Sequence, residues 1–169
     1  MNVFIHNFNP ASNSGPNKFS RQLFSVLEND YDVKIVDNQN EANIEFALIQ
    51  LQNLNTKPLV MRLDGIYFNS EQDYEKQNSP IKLTYDRSHS VIYQSAFNKS
   101  LTEKWFGKHK NGHIIHNAPD LELLSKVEPI VFDDNNINNT EIWCCASSWR
   151  PHKRLQENLR YFYEKAPSD

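Results

Sequence analysis

Short apolar runs alternate with amphipathic segments along most of the chain, and this alternation restricts the fold more than any other feature of the sequence. The apolar runs predict strands at 3–5, 33–36, 44–50, 58–63, 91–93, 113–116 and 142–146. Apolar spacing and end signals predict helices at 18–28, 80–88 and 96–106, and a last helix around Leu155, Leu159 and Phe162. Strands that alternate with helices favour an α/β fold with a doubly wound parallel sheet.

Two polar segments interrupt this alternation. The acidic stretch 69–79 predicts a surface loop, which ends where Pro80 opens a helix. The run 133–139 predicts a linker, so we divide the chain into a domain of residues 1–134 and a second segment of residues 135–169. The second segment holds one strand and one helix, which cannot bury their apolar faces alone. We expect it to pack on the main sheet or on a second copy of the chain, as in a homodimer.

Charge and cysteine content argue against several classes of protein. Lysine and arginine total 18 against 21 aspartate and glutamate residues, so the net charge of −3 argues against a nucleic-acid partner. Cys144 and Cys145 are adjacent in a predicted strand and point to opposite faces, which argues against a disulfide or a zinc pair. The N-terminus lacks a signal-peptide pattern, and no run approaches the ~20 apolar residues of a membrane span. The cytoplasm is therefore the expected compartment.

Ligands of a doubly wound sheet bind beyond the carboxyl ends of the strands, so the residues after each strand are the candidates for a site. Arg62 and Asp64 end a predicted central strand, and the alternation of side chains along a strand puts them on one face. Two interpretations stay open, namely a salt bridge and a pair of polar groups that face a substrate. Under the second interpretation, Asp64 is the candidate catalytic residue and Arg62 binds the substrate.

Two loops carry features of an anion site. Gly15 lies between the first strand and the first helix, where a glycine lets backbone N–H groups approach an anion, although an ordinary tight turn is the simpler explanation. Arg150, Lys153 and Arg154 lie around the start of the last predicted helix. The helix dipole disfavours cations there, so their placement predicts a negative partner such as a diphosphate, with solvated surface charges as the alternative.

The sequence argues against two other kinds of site. His109, His113 and His116 would converge on a metal only if one helix carried them, and the apolar pair between the last two predicts a strand instead. We therefore predict no metal site. The chain has neither a G-x-G-x-x-G nor a G-x-x-x-x-G-K-[ST] motif, which disfavours a nicotinamide-dependent oxidoreductase.

Taken together, these loops resemble those of the family 4 glycosyltransferases of the GT-B fold. The resemblance runs along nearly the whole chain, and the order and spacing of its short segments make the set specific. The segments are Ser14-Gly15-Pro16, Arg62-Leu63-Asp64-Gly65, Val91-Ile92-Tyr93-Gln94-Ser95, 114–120 and 146–154. Residues 115–120 resemble the I-x-N-G-x-D element of the family, with Ala118 in place of the glycine. The loop at Gly15 has one glycine where many members have two.

The resemblance implies a Rossmann-like acceptor-side domain, the GT-B N-terminal domain, followed by the start of a donor-binding domain. It implies transfer of a hexosyl group from a nucleotide sugar, which is a substrate and not a cofactor, to a sugar or lipid-linked acceptor, and it allows peripheral contact with a membrane. The implied substrate-binding residues are Gly15, Arg62, Asn117, Arg150 and Lys153. Arg150 and Lys153 correspond to the cations that bind the donor diphosphate, and such fixed charges can stabilise the leaving group without a metal.

The chain ends after the first strand and helix of the predicted donor domain. In the family, an E-x7-E motif and a nucleoside pocket lie further on. We therefore expect these 169 residues to have little or no transferase activity by themselves. The alternative function is a non-catalytic α/β module that binds a phosphorylated or sugar ligand.

Overall fold

Six parallel strands form one sheet in the part of the chain that the structure, a computed structural model, describes, namely residues 1–53, 57–68, 71–128, 144 and 153–166. The strands are β1 (Asn2–His6), β2 (Lys34–Ile35), β3 (Ile44–Leu48), β4 (Leu59–Leu63), β5 (Ser90–Tyr93) and β6 (Gly112–Ile114). Their order across the sheet is β2-β1-β3-β4-β5-β6, and every neighbouring pair is parallel. The expected doubly wound α/β sheet is confirmed.

Helices connect the strands and cover both faces of the sheet. They are α1 (Gly15–Tyr31), α2 (Tyr74–Arg87) and α3 (Ala96–Phe106), with a short 3-10 turn at Gln39–Glu41. Two further helices, α4 (Leu121–Ser125) and α5 (Leu155–Lys165), follow the last strand. The chain divides into two compact units, Met1–Lys126 and Val127–Asp169, and α5 belongs to the second. None of the helices described is long and apolar enough to cross a membrane.

Two apolar clusters hold the first unit together, one on each face of the sheet. On one face, α1 buries Phe24 against Phe46, with the two rings edge to face and their centroids 5.4 Å apart. On the other face, Ile81 and Tyr85 of α2 pack on strand residues such as Met61. Alternate residues of a strand supply the two clusters, because successive side chains point to opposite faces.

The helix α2 differs from the sequence-based expectation. It begins at Tyr74, within the segment predicted as a loop, so the prediction that Pro80 opens the helix is wrong. The side chain of Asp73 accepts a hydrogen bond from the Lys76 N–H and caps the helix start. Asn78 is buried in the second turn, although polar residues of this type favour loops. Tertiary contacts of α2 therefore override the local signals.

The other predicted helices and strands agree with the structure to within about three residues at each end where it describes them, but the sequence does not predict the short helix α4. Ser95 caps α3, which ends at Gly107 with a φ of +91°, as the sequence signals indicate. The helix α1 is longer than predicted, since it starts at Gly15 with Pro16 in its first turn. The predicted strand at 142–146 lies outside the described residues, apart from Cys144 alone, which is exposed.

Candidate functional site

Three predicted site residues meet at the carboxyl edge of the sheet. Arg62 is the penultimate residue of β4, Asp64 follows that strand directly, and Asn117 lies in the loop after β6. The Arg62 Nη1 atom forms an ion pair with Asp64 Oδ1, and Arg62 Nη2 donates a hydrogen bond to Asn117 Oδ1 at 2.8 Å. We call these three residues the carboxyl-edge cluster. The two earlier interpretations of Arg62 and Asp64 are thus compatible, because the salt bridge itself lies where ligands of such sheets bind.

Arg62 is the central residue of the carboxyl-edge cluster and is only 1% exposed. The ring of Phe19, from the second turn of α1, lies over its guanidinium group, with 3.9 Å from Cζ to the ring centroid. Burial lowers the pKa of Arg62, while the charge of Asp64 acts in the opposite direction. The buried Nε atom has no hydrogen-bond partner among the described residues. Such buried donors are usually satisfied, so this one is an exception within the cluster.

Asp64 is the acidic group of the carboxyl-edge cluster. Burial raises the pKa of its carboxyl group, and the neighbouring Arg62 charge opposes that rise. About a quarter of its side chain is exposed to solvent. The Gln94 side chain, at the end of β5, donates a hydrogen bond to the Asp64 carbonyl and thereby holds its backbone. A partly exposed carboxyl group held in this way can accept a hydrogen bond or a proton from a bound hydroxyl group.

Side chains from α2 and α3 fix the loop that carries Asp64. The Asn78 amide donates to the Tyr67 carbonyl at 2.7 Å, and its oxygen accepts from the Tyr67 N–H at 2.9 Å. Asn98, in the first turn of α3, donates to the Leu63 carbonyl at 3.2 Å. Sequence reasoning missed Asn78 and Asn98, and it included Gln94 in a segment of the resemblance without assigning it a role. The position of Gln94 directly after a strand was the one available signal.

An apolar groove of about 870 Å³ adjoins the carboxyl-edge cluster. It runs between α1 and the segment 115–123, and it includes Ile92 of β5. Its apolar lining comprises Phe19, Leu23, Val26, Ile92, Ile115 and Leu121. Phe19 belongs to both features, and the groove residues 116 and 118 flank Asn117 in the chain. None of the three cluster residues lines the groove, but Phe19 connects the two features, and we treat them as the polar and the apolar part of one candidate site.

Gly15 is the first residue of α1, and neither a tight turn nor close packing requires a glycine there. Its φ is not in the left-handed region, and a Cβ atom built on it would meet nothing within 4 Å. The loop before it is held by α1 side chains, since Asn17 accepts from the Asn9 N–H and Arg21 donates to the carbonyls of Pro10 and Ser12. The space beside Gly15 is thus open, and its predicted role in substrate binding stays a prediction.

The strand order reverses at β1, where β1 and β3 lie side by side, and doubly wound sheets often bind ligands at this point. In this protein, groups at the ends of β1 and β3 bond to one another and occupy that position. Asn7, with a φ of +60°, donates from its side chain to the carbonyls of Leu48 and Gln50. His6 is fully buried and lies 3.0 Å from a Glu45 carboxylate oxygen. The candidate site therefore lies on the other side of the sheet's centre, around β4 to β6.

The predicted diphosphate cations are only partly described. Arg150 lies outside the described residues. Lys153 and Arg154 precede α5 in the second unit, and both are exposed. Arg154 has a φ of +56° and its Nε atom lies 3.7 Å from a Glu157 carboxylate oxygen. The diphosphate role of Arg150 and Lys153 stays a prediction.

The three spaced histidines each bond to a different partner. His109 Nε2 lies 3.0 Å from the Ser88 carbonyl, and His116 Nδ1 lies 3.1 Å from the Gln94 carbonyl. His113 Nε2 lies 2.7 Å from Asn111 Oδ1. In the portion of the chain that the structure describes, no group of three or more potential metal ligands occurs.

The structure thus brings Arg62, Asp64 and Asn117 together and leaves Gly15 outside that set of contacts. Sequence reasoning identified those three residues, but it missed Phe19, because its helical spacing indicates an ordinary core residue. Neither any protein-family model nor any curated protein matches the chain, so the resemblance to family 4 glycosyltransferases stays a prediction.

Proposed function

We propose that the first unit is the acceptor-binding domain of a glycosyltransferase that uses a nucleotide-sugar donor. The observation that carries this proposal is the carboxyl-edge cluster, in which buried Arg62 joins Asp64 and Asn117 beside an apolar groove. Arg62 and Asn117 are among the substrate-binding residues that the resemblance to family 4 glycosyltransferases implies, and Asp64 is the candidate catalytic residue from its position at the end of the strand. A fold alone hosts many functions, so the proposal depends on the site and not on the sheet.

The two parts of the site suit an acceptor with a sugar and an apolar portion. Carboxylate, amide and guanidinium groups of the cluster match the hydroxyl groups of a sugar. The apolar lining of the groove matches a hydrocarbon chain or another apolar aglycone, whose burial contributes about 25 cal/mol per Å². We therefore propose an amphiphilic glycoside as the class of acceptor.

In the proposed reaction, an acceptor hydroxyl oxygen bonds to the anomeric carbon of the donor sugar. The bond between that carbon and the diphosphate oxygen breaks, and the diphosphate leaves with the electron pair. Asp64 accepts the hydroxyl proton. Arg150 and Lys153 are the proposed counter-charges of the leaving diphosphate, which removes the need for a metal at that step.

A set of three soluble probes tests acceptor binding, namely octyl glucoside below its micelle concentration, methyl glucoside, and an octyl oligo(ethylene glycol) ether. Isothermal titration should show that octyl glucoside binds more tightly than either of the others, because only octyl glucoside fills both parts of the site. Equal affinity for octyl glucoside and the ether would contradict the proposal that the site recognises a sugar.

Two matched pairs of variants locate the binding. Asn117→Ala should weaken octyl glucoside binding about three- to tenfold, the loss of roughly one hydrogen bond, whereas Asn111→Ala at the opposite edge should leave it unchanged. Val26→Ser, in the groove, should weaken octyl glucoside but not methyl glucoside. Val127→Ser, at an exposed valine outside the groove lining, should weaken neither.

Thermal-shift measurements with UDP, GDP and their sugars test the donor part separately. Stabilisation that is lost in Arg150→Ala and Lys153→Ala would support the diphosphate role. No stabilisation by any of these nucleotides would instead favour the second candidate, a non-catalytic binding module. One observation favours that candidate, since the charged groups of the described cluster already bind one another.

A further inference from the structure

A second concave site lies at the opposite edge of the sheet, where β5 and β6 begin. It encloses about 400 Å³, within the range of small-molecule sites, and two segments line it, 85–89 and 106–110. The first segment is the end of α2 with the residues that follow, and the second is the end of α3 with the loop before β6. We call it the amino-edge pocket. Nothing in the proposed acceptor site uses these residues.

Cations dominate the lining of the amino-edge pocket. Arg87, Lys108 and Lys110 line it, and none of them forms a side-chain hydrogen bond or an ion pair with another described residue. The one acidic lining residue, Asp86, is already paired, because Lys82 Nζ lies 2.7 Å from both of its carboxylate oxygens. The lining thus carries three unpaired positive charges in a chain whose net charge is −3.

The ends of α2 and α3 explain only part of this positive charge. Each helix C-terminus carries about −0.5 of an elementary charge, so the two together offset roughly one of the three cations. The terminal carbonyls also have other donors. Tyr85 Oη donates to the Gly107 carbonyl at 2.7 Å, Ser88 Oγ donates to the Thr84 carbonyl, and His109 Nε2 contacts the Ser88 carbonyl. Neither the arginine nor the two lysines donate to a carbonyl at these helix ends, so they do not act as hydrogen-bonding caps.

A histidine adds a further donor to the amino-edge pocket. His89 Nδ1 accepts a hydrogen bond from the Leu59 N–H at 3.2 Å, so the proton of the neutral ring lies on Nε2. That Nε2–H group has no partner among the described residues. His109, by contrast, uses both ring nitrogens, since its Nδ1 accepts from the Asn111 N–H.

We propose that the amino-edge pocket binds a small ligand through a phosphate or diphosphate group. An arginine guanidinium group and two lysine ammonium groups are the donors that phosphate oxygens prefer, and His89 supplies a neutral one. The aromatic rings of Tyr85 and Phe106 also line the pocket and offer an apolar surface to the rest of the ligand. This site is independent of the proposed acceptor site, because it lies at the other edge of the sheet.

Titration of the full chain with inorganic pyrophosphate and with AMP, in a chloride buffer without other polyvalent anions, tests the proposal. Both should bind the wild type. Lys108→Gln/Lys110→Gln should weaken binding at least about tenfold, because two charge-assisted hydrogen bonds are lost. Lys34→Gln/Lys76→Gln removes the same charge from exposed lysines elsewhere and should leave the affinity unchanged.

Two results would contradict the proposed phosphate site in the amino-edge pocket. Absence of binding by both pyrophosphate and AMP would overturn the proposed site. An equal loss of affinity in both double variants would also overturn it, because binding would then depend only on the overall charge of the protein. Vesicles of phosphatidylcholine with and without phosphatidic acid distinguish the source of the phosphate. If the soluble probes bind, additional binding to vesicles with phosphatidic acid but not to those without it, lost in Lys108→Gln/Lys110→Gln, would support a lipid headgroup as the source of the phosphate.

Discussion

At the residue scale, Arg62 connects the fold to the proposed function. Its side chain is buried, it lies under Phe19, and its two terminal nitrogens bond to residues from different loops. The sequence predicts the proximity of Arg62 and Asp64, because side chains two apart in a strand share a face. It does not predict the bond to Asn117, which is 55 residues away along the chain and depends on the pairing of β4, β5 and β6.

The first prediction concerns Asp64 and pH. Burial raises the pKa of the folded carboxyl group above its unfolded value, so its ionised form costs stability in the folded protein. Asp64→Asn should therefore raise the free energy of unfolding near neutral pH. The gain should shrink as the pH falls through the folded pKa and vanish well below about pH 4, where the wild-type carboxyl is neutral in both states. Urea unfolding at several pH values measures this difference.

A lower free energy of unfolding in Asp64→Asn would show that the attraction between Asp64 and Arg62 exceeds the cost of burying the carboxylate. Asp64 would then be chiefly a structural partner of Arg62. The same variant should bind octyl glucoside more weakly than the wild type. A more stable but less active variant is typical of functional residues.

Two glycines provide the second prediction. A Cβ atom at Gly112 would lie 2.8 Å from Cε2 of Tyr93, whose ring is fully buried and whose hydroxyl group bonds to Tyr85. Gly112→Ala should thus lower the free energy of unfolding by about 1–3 kcal/mol. Gly15→Ala meets open space in α1 and should raise it by less than about 1 kcal/mol. Similar losses in both variants, measured by urea unfolding, would contradict this account.

At the element scale, the strands and helices differ in how far sequence predicts them. The inner strands β1, β3, β4 and β5 are short, mostly apolar runs that are largely buried, and this pattern can be recognised in the local sequence. The start of α2 cannot be predicted from the local sequence. Asp73 stabilises it as a cap, and Asn78 stabilises it through two hydrogen bonds to the Tyr67 backbone. Polar residues with such partners look like loop residues in a sequence.

The third prediction tests the unexpected part of α2. Pro80 lies inside the helix, where it lacks the N–H donor and crowds the preceding turn. Pro80→Ala should raise the free energy of unfolding by about 1 kcal/mol or more, since the gained helix bond exceeds the proline's restriction of the unfolded chain. If Pro80 instead opened the helix, the substitution would lower stability.

The fourth prediction concerns the loop that carries Asp64. Asn78→Ala removes both bonds to the Tyr67 backbone and should cost about 1–2 kcal/mol. Gln77→Ala, one residue earlier on the exposed side of α2, is the control and should change stability by less than about 0.5 kcal/mol. Hydrogen exchange of the Tyr67 amide should accelerate only in Asn78→Ala. Unchanged exchange there would show that Asn78 does not hold the loop.

At the scale of the whole molecule, the two edges of one sheet carry two different kinds of site. The carboxyl edge joins a buried ion pair to an apolar groove, which suits an amphiphilic acceptor. The amino edge carries unpaired cations around a smaller pocket, which suits a phosphate. Sequence reasoning located the first, because loops after strands are the known binding positions of such sheets. It missed the second, because those cations come from two segments that only the fold brings together.

The central claim is that the carboxyl-edge cluster and the apolar groove bind one sugar-bearing acceptor. Chemical-shift mapping of the isotope-labelled chain with octyl glucoside tests it most directly. The account predicts concerted shifts at Asp64, Gln94 and Asn117 and in the groove residues Val26 and Ile92, with no shift at Lys108. Shifts confined to the groove, or the same pattern with the octyl ether, would contradict sugar recognition at this edge.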